Sequence, residues 1–236
     1  MSGAGRDRGR AGGPPPPGTA AGARRATSHE RMSGAPWDAS YRDGPAPWDI
    51  GRPQPAVVRL AARGGFDGAV LDAGCGPGDN ALHLASLGLA VFGIDVADTA
   101  LAMARAKAAE RGVPVEFAWA DALDLGRLGR RFRSVLDCGL FHALDAEERE
   151  RYVEGLVAVT AVGGTVSVLC FSDEGPGTGP HPVGRDALRS AFASGAWRVD
   201  GIDPERLVTR FSEHGAPAWL ARITRITPPG RAPRPS

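Results

Sequence analysis

Lysine is nearly missing from this chain. Lys107 is the only one among 28 basic residues, and all the others are arginine. Neither sign of charge is in excess, since 27 acids leave a net charge of +1. That balance implies no nucleic-acid partner and no membrane partner. Cysteine is scarce as well. Cys75, Cys138 and Cys170 form no C-x-x-C pair, so they read as small buried thiols in a reducing, cytoplasmic compartment. No apolar run approaches the ~18 residues of a membrane-spanning helix. Arg24-Arg25 is followed by no apolar stretch, which excludes a twin-arginine export signal. No cluster of carboxylates and histidines suggests a metal site.

What is present suits one α/β domain with tails: 236 residues, 42% of them apolar and 23% charged. Residues 1–34 are mostly Gly, Pro, Arg, Ala and Ser, with a Pro14–Pro17 run and six arginines against Asp7 and Glu30. With no apolar period to offset its ordering entropy, this segment reads as a disordered basic tail. Met32-Ser33-Gly34-Ala35 repeats Met1-Ser2-Gly3-Ala4, so Met32 reads as an alternative start. Residues 35–227 form the expected domain, and 228–236 a proline-rich disordered tail.

Within the domain, strands are expected at about 68–73, 89–95, 113–119, 132–138, 164–171, 196–210 and 217–226. Helices are expected at 53–63, 78–88, 97–111, 145–161 and 184–193, with Asp145 as an N-cap. Strand and helix alternate, which predicts a mostly parallel seven-stranded sheet with helices on both faces. Only Ser212 to Ala216 separate the last two strands. A crossover helix does not fit there, so the last strand is expected to be antiparallel.

The most informative stretch is Val70-Leu71-Asp72-Ala73-Gly74-Cys75-Gly76-Pro77-Gly78-Asp79-Asn80. An apolar strand ends in an acid and breaks into alternate glycines before a helix. Bare glycine backbone lets N–H groups approach a ligand closely. A dinucleotide-binding loop reads G-x-G-x-x-G and needs glycine at 79. Asp79 stands there instead, and a pyrophosphate beside Asp72 and Asp79 is repelled, whereas a ligand carrying an ammonium and a sulfonium is not.

This loop resembles the first motif of the class I S-adenosylmethionine (SAM) methyltransferases, which implies their Rossmann-like fold and SAM as cofactor. The resemblance places the Asp72, Gly74, Gly76 and Gly78 loop against the methionine part of SAM. Asp95 ends the second strand, 17 residues after Gly78, where a carboxylate accepts from both ribose hydroxyls. Asp121, with the backbone of Ala122, meets the adenine. Asp137 and Cys138 end the fourth strand below the reacting methyl. A lone aspartate after a strand is as readily a helix cap; three in order after this loop are not.

Upstream, Trp37, Tyr41 and Trp48 stand at spacings of four and seven among prolines. They read either as a packed N-terminal helix or as a lid (35–52) whose aromatic faces cover a sulfonium. Pro47-Trp48-Asp49-Ile50-Gly51-Arg52-Pro53 is similar to the thiopurine, thiol and halide methyltransferase group. APWDIGRPQP, VLDAGCG, LFHALDAEERERYVEGL and VLCFSDEGPGTGPHPVGRDALR look like the bacterial heterocyclic-toxin (benzoquinone) methyltransferases. Tyr41 departs from the tryptophan of halide-type members. His142, just beyond the fourth strand, is either a general base or a helix-capping residue. No Asn/Asp-Pro-Pro-Tyr/Phe follows the fourth strand, which disfavours methylation of an adenine or glutamine amide nitrogen.

The expected function is an enzyme that moves a methyl group from SAM to a hydroxyl, thiol or ring nitrogen of a small planar heterocycle or quinone. The alternatives are a thiol or halide methyltransferase, and a non-catalytic SAM-binding regulatory protein.

Overall fold

A computed structural model describes residues 24–175 and 179–226. Strand β1 (Ala69–Ala73) is followed by helix α3 (Asp79–Ser86), and β2 (Ala90–Asp95) by α4 (Asp98–Arg111). After β3 (Glu116–Trp119) and a 3-10 turn come β4 (Phe132–Cys138), α5 (Ala146–Val159) and β5 (Thr160–Phe171). Helix α6 (Arg185–Ala191) leads to the hairpin of β6 (Trp197–Thr209) and β7 (Ser212–Arg225). Ahead of β1 lie α1 (Ser28–Ser33), a 3-10 helix at Trp37–Tyr41, and α2 (Pro55–Ala62).

The seven strands lie in the order β3-β2-β1-β4-β5-β7-β6. All neighbours are parallel except β7, which runs antiparallel to both β5 and β6. Period-two alternation assigns side chains to the two faces. Val70 and Leu136 pack with α2, α3 and α4 through Val57, Leu82 and Leu101. Leu71, Val135 and Val168 pack on the other face with Tyr152 and Leu156 of α5 and Leu188 of α6. Helices therefore cover both faces, as the alternating pattern predicts. The chain leaves β1 in one direction towards β2 and in the other towards β4. That reversal opens a crevice beyond the carboxyl ends of β1 and β4, where open α/β sheets bind ligands. No helix among the described residues is long and apolar enough to cross a membrane.

Two expectations need correction. β7 begins at Ser212, not 217: the polar stretch read as a connection pairs with β6, and Thr209 faces Ser212 across the turn. More consequentially, the end of the segment expected to be disordered is folded. Residues 1–23 and 227–236 lie outside the described residues, but α1 is a capped helix. Thr27 and Glu30 form its capping box, and Gly34, with φ of 70°, closes it. Its docking is polar. Ser28 N–H donates to Glu148 (2.8 Å), and Arg31 reaches Glu148 (3.0 Å) and Asp145 (2.7 Å). The arginines of the basic segment thus meet the acids of the first turn of α5. Apolar periodicity does not register such an attachment.

Candidate active site

A cavity of about 790 Å³ fills the crevice. Its floor is built at the strand ends: Gly74 to Pro77 after β1, Asp95 at the end of β2, Ala120 to Leu123 after β3, and Cys138 to Leu140 with His142 to Leu144 at and beyond the end of β4. Gly76 has φ of 51°, and a Cβ there would come within 3.2 Å of the Tyr41 hydroxyl. The loop is thus bare backbone directly under an aromatic cover. Gly78 has a different reason to be glycine: a Cβ would lie 2.8 Å from Ala104 and from the Phe117 ring. It lets α3 start against α4 and does not line the cavity.

Trp37, Tyr41 and Trp48 all line the cavity. Trp48 Nε1–H donates to the Tyr41 hydroxyl at 2.9 Å, and the Trp37 and Trp48 rings meet edge to face at 5.6 Å. Tyr41 is buried, and burial pushes its phenol well above the usual range. The cover is pinned at several points. Asp38 accepts the Thr99 N–H at 2.7 Å, capping α4, and Gln54 bonds both ways with the Val208 backbone. Arg210 N–H donates to the Pro47 carbonyl.

The acids divide into two sets. Asp95 is on the cavity, with its oxygens accepting Gly76 N–H (2.8 Å) and Ala97 N–H (2.9 Å). Each oxygen keeps a second lone pair. Asp121 and Ala122 also line the cavity, and Asp121 caps the following 3-10 turn through Leu123 N–H. Asp72 and Asp137 do not line it. Both are fully buried, and each leaves its Oδ2 without a partner. Asp137 Oδ1 accepts the N–H groups of Leu140 and Phe141, so this acid fixes the turn after β4 and is no direct cofactor contact. Asp79 is paired with Lys107 at 2.6 Å. Its charge is balanced there, which leaves the repulsion of a pyrophosphate to Asp72 and Asp95.

Burial pushes the Asp72 and Asp137 carboxyls up to about 7, and for Asp72 the neighbouring Asp95 and Asp137 add to it. Asp95 is also raised, by burial. Between pH 6.5 and 8 the folded protein then holds protons on groups that are fully ionised when unfolded. Stability falls wherever the folded state binds more protons as pH rises. The ligand-free protein should therefore lose roughly 1 kcal/mol on going from pH 6.5 to 8, seen as a melting temperature lower by about 2–4 °C. An unchanged or higher melting temperature at pH 8 would contradict these directions.

His142 sits on the cavity but not as the expected base. It is buried, and its Nδ1 accepts the Phe171 N–H at 3.2 Å. That bond fixes the neutral tautomer with hydrogen on Nε2. Burial first, then Arg149, pushes its pKa down to about 3. The lone pair a general base needs is occupied, and what remains is an Nε2–H donor. Cys138 lines the cavity as well, with its thiol raised far by burial.

Sequence reasoning missed His29. Helix α1 carries it onto the cavity, where its ring stacks on Trp37 at 4.2 Å and meets Trp48 edge-on at 5.9 Å. Glu30, 5% exposed, holds this corner together. It accepts from Arg24, from Thr27 N–H (2.8 Å) and from Trp37 N–H (3.1 Å). Burial alone would raise its carboxyl, but Arg24 and the two N–H groups hold it below the usual range. The readable signal was the T-x-x-E capping box at Thr27–Glu30.

A protein-family profile described as a methyltransferase domain matches residues 70–164. The chain is 41% identical to the 2-heptyl-1-hydroxyquinolin-4(1H)-one methyltransferase of Mycobacteroides abscessus, over 72% of this chain and 78% of that protein. It is 27% identical to probable thiol methyltransferase 2 of Arabidopsis thaliana, over 65% and 69% of the two chains. A solved structure from work on the conversion of a disulfide bond into a thioacetal group during echinomycin biosynthesis superposes with a TM-score of 0.72. It shares 38% identity and covers 80% of this chain and 91% of that one.

Proposed function

Since this chain belongs to the class I SAM-dependent methyltransferases, we propose that it methylates a hydroxyl group on a small planar N-heterocycle, in the cytoplasm. The observation that carries the acceptor reading is His142: a neutral ring with Nε2–H as its only available polar group, set in the wall of the cavity. A carbonyl or N-oxide-type oxygen on a flat apolar ring accepts from such a donor. The Mycobacteroides abscessus relative is named for a substrate of that chemistry, a hydroxyquinolone. The three free thiols suit a reducing compartment.

The site fits SAM on its own geometry: a glycine loop without side chains, Asp72 with an unpartnered oxygen behind it, and an aromatic cover. Bound SAM supplies a methyl group already activated by its sulfonium. The residues of the chain then hold, align and exclude water. Asp95 would accept from the ribose hydroxyls, and Asp121 with Ala122 N–H would meet the adenine. Asp72 would balance positive charge from behind the loop. Trp37, Tyr41 and Trp48 would cover the sulfonium with ring faces. Alignment and desolvation of this kind supply much of a transfer rate.

Thiol acceptors are the second reading, favoured by the Arabidopsis relative. The test is a panel of 2-heptyl-1-hydroxyquinolin-4(1H)-one, a benzoquinol, thiophenol and iodide with labelled SAM. The hydroxyquinolone is expected to give the highest kcat/KM. A higher value for thiophenol or iodide would overturn the hydroxyl assignment.

A further inference from the structure

Methylating a hydroxyl below its pKa needs somewhere for the proton to go. His142 does not offer it, because its lone pair is held by Phe171 N–H. The other polar side chains on the cavity are engaged or unsuited. Asp79 is paired with Lys107, and Asp49 accepts Gly51 N–H. Asp95 holds the Gly76 and Ala97 N–H groups, and Asp121 lies at the far end after β3. The Tyr41 and Cys138 protons are held tightly by burial. One group is left. We propose that His29 is the general base of the reaction, carried onto the acceptor by α1.

His29 lines the cavity, is half-buried, and has no hydrogen bond to either ring nitrogen among the described residues. Its ring plane is set by the Trp37 stack, with an interplanar angle of 17°, so its nitrogens lie at the ring edge, clear of the stacking face. The charged and titratable groups around it are Glu30 on the same helix, Arg24 ahead of it, His142 on the cavity wall, and His181 beside the neighbouring Ser28. Burial and His181 lower its pKa against the pull of Glu30, which keeps it unprotonated at neutral pH. Neighbouring Ser28 anchors the helix to His181, at 2.7 Å from Nε2. As the acceptor oxygen bonds to the methyl carbon, its proton passes to a ring nitrogen of His29. The sulfur keeps the electron pair of the broken S–CH3 bond. His29 then returns the proton to solvent.

This inference rests on the hydroxyl reading, and the experiment separates the two. Wild type, His29→Phe and Asp49→Asn are compared on 2-heptyl-1-hydroxyquinolin-4(1H)-one and on thiophenol, from pH 6 to 10. Phenylalanine keeps the stack on Trp37 and removes the base. With the hydroxyquinolone at the acid end, His29→Phe should lower kcat by ~10²-fold or more, and the gap should close as pH rises. Thiophenol, at pH values where it is ionised, should react nearly as in wild type. Added imidazole should restore turnover to His29→Ala. In complexes with S-adenosylhomocysteine, the absorbance of the bound hydroxyquinolone should show it ionising at higher pH in His29→Phe. Wild-type kcat in His29→Phe, a loss equal on both acceptors at every pH, or a pH-dependent loss confined to Asp49→Asn would each overturn the assignment. Wild type that fails on the hydroxyquinolone while methylating thiophenol would overturn the hydroxyl reading and the base with it.

Discussion

A chain that starts at Met32 should fold but turn over at least ~100-fold more slowly. Truncation there removes Arg24, Thr27, Ser28, His29, Glu30 and Arg31 together. Trp37 then loses the Glu30 carboxylate on its N–H and the Thr27 hydroxyl that accepts its indole N–H at 3.0 Å. Asp145 and Glu148 at the start of α5 lose their Arg31 partner, which is deleted with the helix. A hydrogen bond to a charged group contributes about 1.5–3 kcal/mol, and water replaces part of it once the group is exposed. A net loss of about 2 kcal/mol corresponds to a melting temperature lower by roughly 4–8 °C in a domain of this size. SAM should bind more weakly, because the Trp37–Trp48 cover is no longer held, and the base leaves with the helix. Thermal melts with and without SAM, and kcat/KM on the hydroxyquinolone, test this. Truncated protein with an unchanged melting temperature and full turnover would show that α1 does not dock in solution.

The contrast with the rest of the fold is physical. Strands β1 and β4 are short runs whose apolar stretch ends at an acid, with a glycine just beyond, and their pattern is written locally. The order of the sheet follows from alternation with helices. Helix α1 is held by partners more than a hundred positions away, as Ser28 with Glu148 and Arg31 with Asp145 show. No local period records that. The same limit applies inside the site. An aspartate at a strand end looks alike whether it faces the cavity, as Asp95 does, or is buried behind it, as Asp72 and Asp137 are. His142 was legible as a cavity residue, but its role depends on the tautomer. That is set by a backbone N–H 29 residues further on. The N-cap at Asp145 was legible because its capping box with Glu148 is local.

Replacing Asp95 by alanine should nearly abolish SAM binding while leaving the fold intact. The carboxylate has two duties. It would accept from the ribose hydroxyls, and it already orders the glycine loop through Gly76 N–H. Alanine removes the acceptor and leaves that N–H unpaired at the cavity. The combined loss is about 2–4 kcal/mol, or roughly 30- to 1000-fold in Kd. Asparagine should fall between, since its carbonyl can serve only one of the two N–H groups now shared by Gly76 and Ala97. Proton linkage gives an independent check. SAM is cationic at neutral pH and favours ionised acids near it. Asp72, titrating at about 7, and the raised Asp95 should therefore lose protons on binding. Calorimetry at pH 7 in two buffers of different ionisation enthalpy should show proton release, with affinity rising between pH 6 and 8. Asp72→Asn should remove most of that release. NAD, with its pyrophosphate, should not bind at all. Unchanged SAM affinity in Asp95→Ala, or proton uptake on binding, would place the cofactor somewhere other than against these acids.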